Sequence, residues 1–292
     1  MSAPGFFEDL AGIPLLQRAI GAGALAGLCC ASLSPLVVIR RMAFVGDGMA
    51  HAAFGGIGLA LFLLKDSSYD DWGVQVITIA FCLALAFAIG KVSRKGETSQ
   101  VAEDSAIGIA FSVSMALGAL FIKLRQQRSP QYVTSMDTYL FGSLLNVSPR
   151  DIWVLAILAV AVIALLILFQ KELLFYSFDA RLAELSGLNV RALHYCFLLF
   201  LVLTVVVSSR VVGIILVSAS LILPGVTALR ICTRLLPALI VSAALGVVSF
   251  GWGMYISYSQ DIYPGSAIIL IQFALLIVAG GATSLLRGKS TR

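Results

Sequence analysis

Charged side chains are scarce in this sequence: they make up 12% of its 292 residues. A soluble globular domain carries about 25%. Hydrophobic residues supply 60% of the chain, far more apolar surface than a water-soluble core can hide, so lipid is the solvent for much of it. Cysteine is sparse as well. Cys29, Cys30, Cys82, Cys196 and Cys232 are scattered in or beside apolar runs, and no CxxC occurs. They read as small packing residues, not as a disulfide framework or a metal cluster. No GxxxxGK[ST] is present, so the chain carries no nucleotide-binding loop of its own. HExxH, GxSxG and SxxK are missing too, which leaves an enzyme reading without a motif. Energy for any active process must come from a partner or an ion gradient. The first residues, MSAPGFFEDL, hold acids where a cleaved signal would be basic, so the first apolar stretch is expected to be retained as a span. The net charge of +5 fits loop lysines and arginines facing anionic lipid, not a nucleic-acid surface.

A helix crossing a bilayer needs roughly 20 apolar residues. Nine apolar segments qualify, at about 14–38, 46–64, 72–90, 104–122, 151–169, 192–208, 211–229, 235–257 and 265–286. The expected fold is all-α: a polytopic membrane protein of eight or nine transmembrane helices forming a single domain over residues 1–292. The second segment is weakened by Asp47 and His51. The seventh is interrupted by Ser218, Ser220, Pro224 and Gly225, which requires neighbouring protein or a cavity to satisfy the freed backbone groups. Short cytoplasmic loops collect Lys and Arg. With Arg40 and Arg41 in the cytoplasm, thirteen of the 20 basic residues fall on that side. This predicts an outer N-terminus and an inner C-terminus. The opposing feature is the connection 123–150, which places four basic residues outside. Its TYLFGSLL stretch is expected as a short interfacial helix.

The most informative local feature is Gly46-Asp47-Gly48-Met49-Ala50-His51. Asp47 and His51 are four apart and share one helix face. The rise of a helix puts His51 roughly 15 Å beyond Arg41, near the bilayer middle. Ionisable groups at that depth cost at least about 2.5 kcal/mol each and normally face a protein interior or an aqueous path. A carboxylate and an imidazole offer oxygen and nitrogen ligands to a divalent ion, and two ligands do not complete a site of four. On the residues alone, a mutual hydrogen bond between the two is the competing reading. The small residues Ala50, Ala52, Ala53, Gly55, Gly56, Gly58 and Ala60 predict close helix packing, with a dimer axis as one location for it. Glu103 and Asp104 suit the N-terminus of the fourth span as caps. His194, beside Tyr195, reads as an interfacial anchor. Ala180 to Leu185 can form a short helix that Gly187 ends, with Asn189 capping the next one.

Several stretches, taken in order, resemble the ABC-3 family of metal permeases: RRMAFVGDGMAHAAFGGIGLAL (40–61), AEDSAIGIAFSVSMALG (102–118), YLFGSLLNVSPRD (139–151), ARLAELSGLNVRAL (180–193), SSRVVGIILVSASLILPGVTALRI (208–231) and DIYPGSAIIL (261–270). The resemblance covers nearly the whole chain. It implies a permease subunit of an ABC importer for zinc, manganese or iron in a bacterial inner membrane. It further implies a homodimer of such subunits, cytoplasmic ATPase partners that hydrolyse ATP, and an extracytoplasmic metal-binding protein. Asp47 and His51 match the family's GD-x-x-x-H element, thought to line the metal path. The family usually has serine before the histidine, where this chain has Ala50. The segment about 170–191 matches the family's cytoplasmic coupling region, with Ala183, Glu184, Leu185, Gly187 and Leu188 as the residues expected to meet the ATPase. A proton-coupled secondary transporter using Asp47 and His51 as a relay, and an ABC permease for a metal chelate, are the rival readings.

Overall fold

The computed structural model describes residues 12–64, 71–94, 100–128, 140–142, 147–178 and 180–290, with side chains described outside 90–94, 100–104, 178, 180–181 and 282–290. Among the described residues the chain is helical, without strands. The helices, in order, are α1 (Pro14–Ile39), α2 (Ala43–Leu63), α3 (Trp72–Arg94), α4 (Gln100–Arg128), α5 (Pro149–Leu168), α6 (Gln170–Phe178), α7 (Ala180–Leu185), α8 (Val190–Val212), α9 (Ile214–Ser220), α10 (Leu223–Ile231), α11 (Leu235–Gln260) and α12 (Pro264–Ser290). Nine stretches among them are long and apolar enough to cross a membrane, with α9 and α10 together making the seventh. Each begins within a turn of the apolar segment read for it. The signal-sequence reading of residues 1–11 and most of the TYLFGSLL stretch lie outside the described residues.

Local chemistry explains the boundaries. At the start of α5, Ser148 and Asp151 form a reciprocal capping box, with Pro149 at the first helical position. Asn189 caps α8 by accepting from the Ala192 N–H at 3.1 Å, as expected from the sequence. Helix α4 begins at Gln100. Glu103 and Asp104 therefore sit within the helix, not before it, and their side chains lie outside the described residues.

Three spans form most of the interior, with α8 67% buried beside α1 and α2. The spanning part of α1 is 72% buried and that of α2 78%, against 22% for α4 and 28% for α12. Peripheral helices turn large apolar side chains outward; Trp153, Ile157 and Val160 do so along one face of α5, as a lipid-facing surface requires. The interior helices approach closely through small residues. A Cβ built on Gly55 would stand 2.6 Å from the Ser114 carbonyl oxygen, and one on Gly58 would stand 2.6 Å from that of Gly118. The small-residue stripe of α2 therefore packs on α4 of its own chain, and Gly56 packs on Thr78 of α3. The dimer-axis location is corrected accordingly: close backbone approach within one subunit uses the stripe.

Breaks in the spans are satisfied by neighbours. Pro35 lies inside α1 and cannot donate to the carbonyl four residues earlier. That carbonyl, on Ala31, accepts instead from the Ser242 hydroxyl of α11 at 2.5 Å. Span seven breaks at Leu221 and Ile222, between α9 and α10. The Gly225 N–H donates to the Ser34 hydroxyl at 2.9 Å, and Gln272 of α12 donates to the Ser220 hydroxyl at 3.1 Å. Helix-breaking residues are tolerated in a bilayer when such partners exist. Cys29, Cys30 and Cys82 are buried, while Cys196 and Cys232 are half-buried, in keeping with packing roles.

Three basic residues at the end of the bundle away from Arg40 are tied down. Arg128 lies over the Phe62 ring at 4.8 Å and Arg150 over Trp72 at 4.4 Å, geometries suited to cation–π attraction. Arg210 at the end of α8 reaches Asp151 at 3.3 Å and donates to Gln75 at 3.2 Å. This joins spans three, five and six at that end of the bundle.

Candidate functional site

Helix α2 places Asp47 and His51 on one face, in its second and third turns. His51 Nδ1 lies 3.0 Å from the Asp47 main-chain oxygen and 3.6 Å from its carboxylate. A carbonyl oxygen can only accept, so this contact assigns the proton to Nδ1. Nε2 then presents its lone pair, the form in which histidine ligates a metal. The His51 side chain is 17% exposed and that of Asp47 40%. The carboxylate is thus open for an incoming cation, while the imidazole is held more firmly. Phe111 of α4 meets the imidazole edge-on, with centroids 4.5 Å apart. Gly46 and Gly48 flank the carboxylate. A Cβ on Gly48 would press on Ile107 of α4 at 2.8 Å, and one on Gly46 would touch Leu221 at 3.5 Å. The turn of α2 that carries Asp47 therefore packs against Leu221, at the break in span seven.

Among the described residues no group of three or more His, Cys, Asp and Glu side chains gathers to hold a metal. Asp47 and His51 together offer one oxygen and one nitrogen donor. Two donors fall short of the four ligands of a closed structural site.

The second predicted region lies at the ends of the helices bearing Arg40. Helix α7 is a short helix as expected, and Gly187 ends it with a φ of +86°, a conformation that glycine adopts without cost. The Leu188 N–H donates to the Ala183 carbonyl at 3.2 Å across this turn. Ala183 is fully buried, whereas Glu184 and Gly187 are exposed and Leu188 is half-buried. Leu182 is 57% exposed and Leu185 84%. An apolar ridge on a six-residue helix is left facing outward beside the fixed Ala183.

The structure does not bring the two regions into contact. Tyr176, which the sequence reading passed over, links them through Arg40. Arg40, at the end of α1, lies over the Tyr176 ring at 3.6 Å. His194 is also more than an anchor beside Tyr195: its Nδ1 is 2.5 Å from the Tyr176 hydroxyl. Phe111 and Tyr176 carry no local signal, as both are aromatics in apolar sequence. Their partners lie far away along the chain.

Comparison with known proteins agrees with this architecture. The manganese transport system membrane protein MntC of Halalkalibacterium halodurans is 35% identical over 98% of this chain and 96% of its own length. The probable iron transport system membrane protein of Haemophilus influenzae is 32% identical over 90% of this chain and 92% of its own. The solved structure of PsaBC from Streptococcus pneumoniae in complex with Fab superposes with a TM-score of 0.80 at 28% identity, covering 94% of each chain. Residues 12–281 match the family described as the ABC 3 transport family. A match of that extent, on a nine-span helical fold, establishes that the chain belongs to the ABC 3 transport family.

Proposed function

We propose that this chain is the membrane-spanning permease subunit of an ABC importer that moves a divalent transition metal into the cytoplasm across a bacterial inner membrane. The observation that carries the reading is the Asp47–His51 pair on α2, an oxygen and a nitrogen donor on one face of a buried membrane helix. Relatives named for manganese and iron transport support the cargo class. One carboxylate and one imidazole suit manganese, iron and zinc alike. Family membership favours this reading over a proton-coupled carrier.

The chain holds no nucleotide-binding loop, so ATP hydrolysis belongs to a separate cytoplasmic ATPase and the chain itself is not an enzyme. The whole chain acts as one permease domain, with the coupling segment at about 170–191. There, Glu184, Leu185, Gly187 and Leu188 meet the ATPase, with the exposed Leu185 as the natural anchor, while Ala183, expected from the sequence to join them, is fully buried and backs the helix from within. Two permease copies and an extracytoplasmic metal-binding protein complete the importer. ATP binding draws the ATPases together and shifts the coupling segments. The path opens outward, the delivered metal rests on Asp47 and His51, and the reverse change releases it inward. Weak, incomplete ligation keeps the ion mobile.

Elemental analysis of cells expressing the chain with its genomic neighbours tests the proposal. One metal should accumulate above the level in cells lacking the chain. Unchanged content of every divalent metal would overturn it.

A further inference from the structure

We propose that Arg40, Tyr176 and His194 form a clasp that carries movement of the coupling segment to α2, and so to Asp47 and His51. The proposal rests on the permease reading above. Tyr176, on α6, is 1% exposed. The Arg40 guanidinium lies over its ring at 3.6 Å, and Nη1 donates to the carbonyl of the same residue at 2.7 Å. On the other side the Tyr176 hydroxyl pairs with His194 Nδ1 of α8 at 2.5 Å. One side chain at the membrane end of the coupling segment is thus gripped from spans one and six together. Arg40 Nε is buried without a hydrogen-bond partner. The guanidinium therefore sits where the Tyr176 contact puts it, not where its own hydrogen bonds would be best met.

The link from Arg40 onward has little slack. Helix α1 ends at Ile39 and α2 begins at Ala43. The three residues between are fixed by Arg40 N–H to Leu36 O at 2.9 Å, Arg41 N–H to Val38 O at 3.0 Å and Met42 N–H to Val37 O at 2.8 Å. Arg41 holds a φ of +56°, a left-handed conformation that a residue with a Cβ keeps only when its surroundings enforce it. A displacement of Tyr176 that moves Arg40 must also move the start of α2, one turn before Asp47. A flat guanidinium serves both contacts, stacking on the ring while donating in its own plane. A lysine ammonium can do one or the other. Arg40, Tyr176 and His194 are positioning residues: none reaches the metal path itself.

The test uses the complete permease–ATPase complex in vesicles of phosphatidylethanolamine and phosphatidylglycerol, with the metal-binding protein and radioactive manganese outside the site-bearing face. Uptake and ATP hydrolysis are measured together. For Arg40→Ala the ratio of manganese moved to ATP hydrolysed should fall at least tenfold, with hydrolysis within twofold of the unchanged complex and the ATPase still co-purifying. Arg40→Lys should restore less than half of the ratio, and Tyr176→Phe, which keeps the stack and loses the hydroxyl, should give an intermediate fall. An unchanged ratio in Arg40→Ala, or uptake and hydrolysis falling in proportion, would overturn the clasp. Absence of uptake by the unchanged complex with manganese, and with iron and zinc in its place, would instead overturn the metal-permease reading, and the clasp with it.

Discussion

His51 turns Nδ1 onto the main-chain carbonyl of Asp47, 3.0 Å away, while the carboxylate of the same residue stands 3.6 Å off. The ring is oriented by the backbone, and the carboxylate is left largely free. Asp47→Ala should therefore be cheap for the fold, changing stability by less than about 1 kcal/mol, as for substitutions away from buried networks. Thermal unfolding of the purified protein in detergent checks this. A large loss of stability would mean that Asp47 serves the fold and not a passing ion.

The contact between α2 and α4 depends on the absence of side chains. Gly58→Ala places a methyl group 2.6 Å from the Gly118 carbonyl oxygen, and overpacking of this kind costs about 1–3 kcal/mol. Gly108, on the same α4, has nothing within 4 Å of its Cβ position. Gly108→Ala should be neutral or stabilising by up to about 1 kcal/mol through helix propensity. The pair of variants, compared by unfolding in the same detergent, separates packing from propensity.

Arg210 and Asp151 are 12% and 10% exposed and join three spans at one end of the bundle. Removing one partner leaves the other charge buried, so Arg210→Ala should cost about 3–5 kcal/mol. Replacing Asp151 as well should restore part of that loss, because the two positions are coupled. A double-mutant cycle on unfolding stability measures the coupling. Additive losses would show that the pair contributes nothing as a pair.

Leu185, 84% exposed on α7 beside the fully buried Ala183, is the outward point of the proposed coupling segment. Leu185→Asp should leave the permease folded and in the membrane while reducing ATPase co-purification at least tenfold. Affinity purification through the permease reads this directly. Retained ATPase would move the docking surface elsewhere.

The spans were legible because hydrophobicity over some twenty residues is a local property of the sequence. So was the turn at Gly187 and Asn189, where each residue acts within its own few neighbours. The Asp47–His51 face was legible from helical spacing alone. The partner of the small-residue stripe was not, since close packing says nothing of what is packed against. Nor was the clasp, which joins Arg40 to Tyr176 across 136 positions. Arg128, Arg150 and Arg210, which count against the charge rule in the sequence, are held by Phe62, Trp72 and Asp151. Such pairings exist only after folding brings the helices together.

The central claim is that a divalent metal passes over Asp47 and His51, and the most direct measurement is metal uptake by the reconstituted importer, unchanged against Asp47→Ala and His51→Ala. The account predicts uptake in the unchanged importer and a loss of more than tenfold in each variant, with protein folding and ATPase binding retained. Normal uptake by either variant would contradict it.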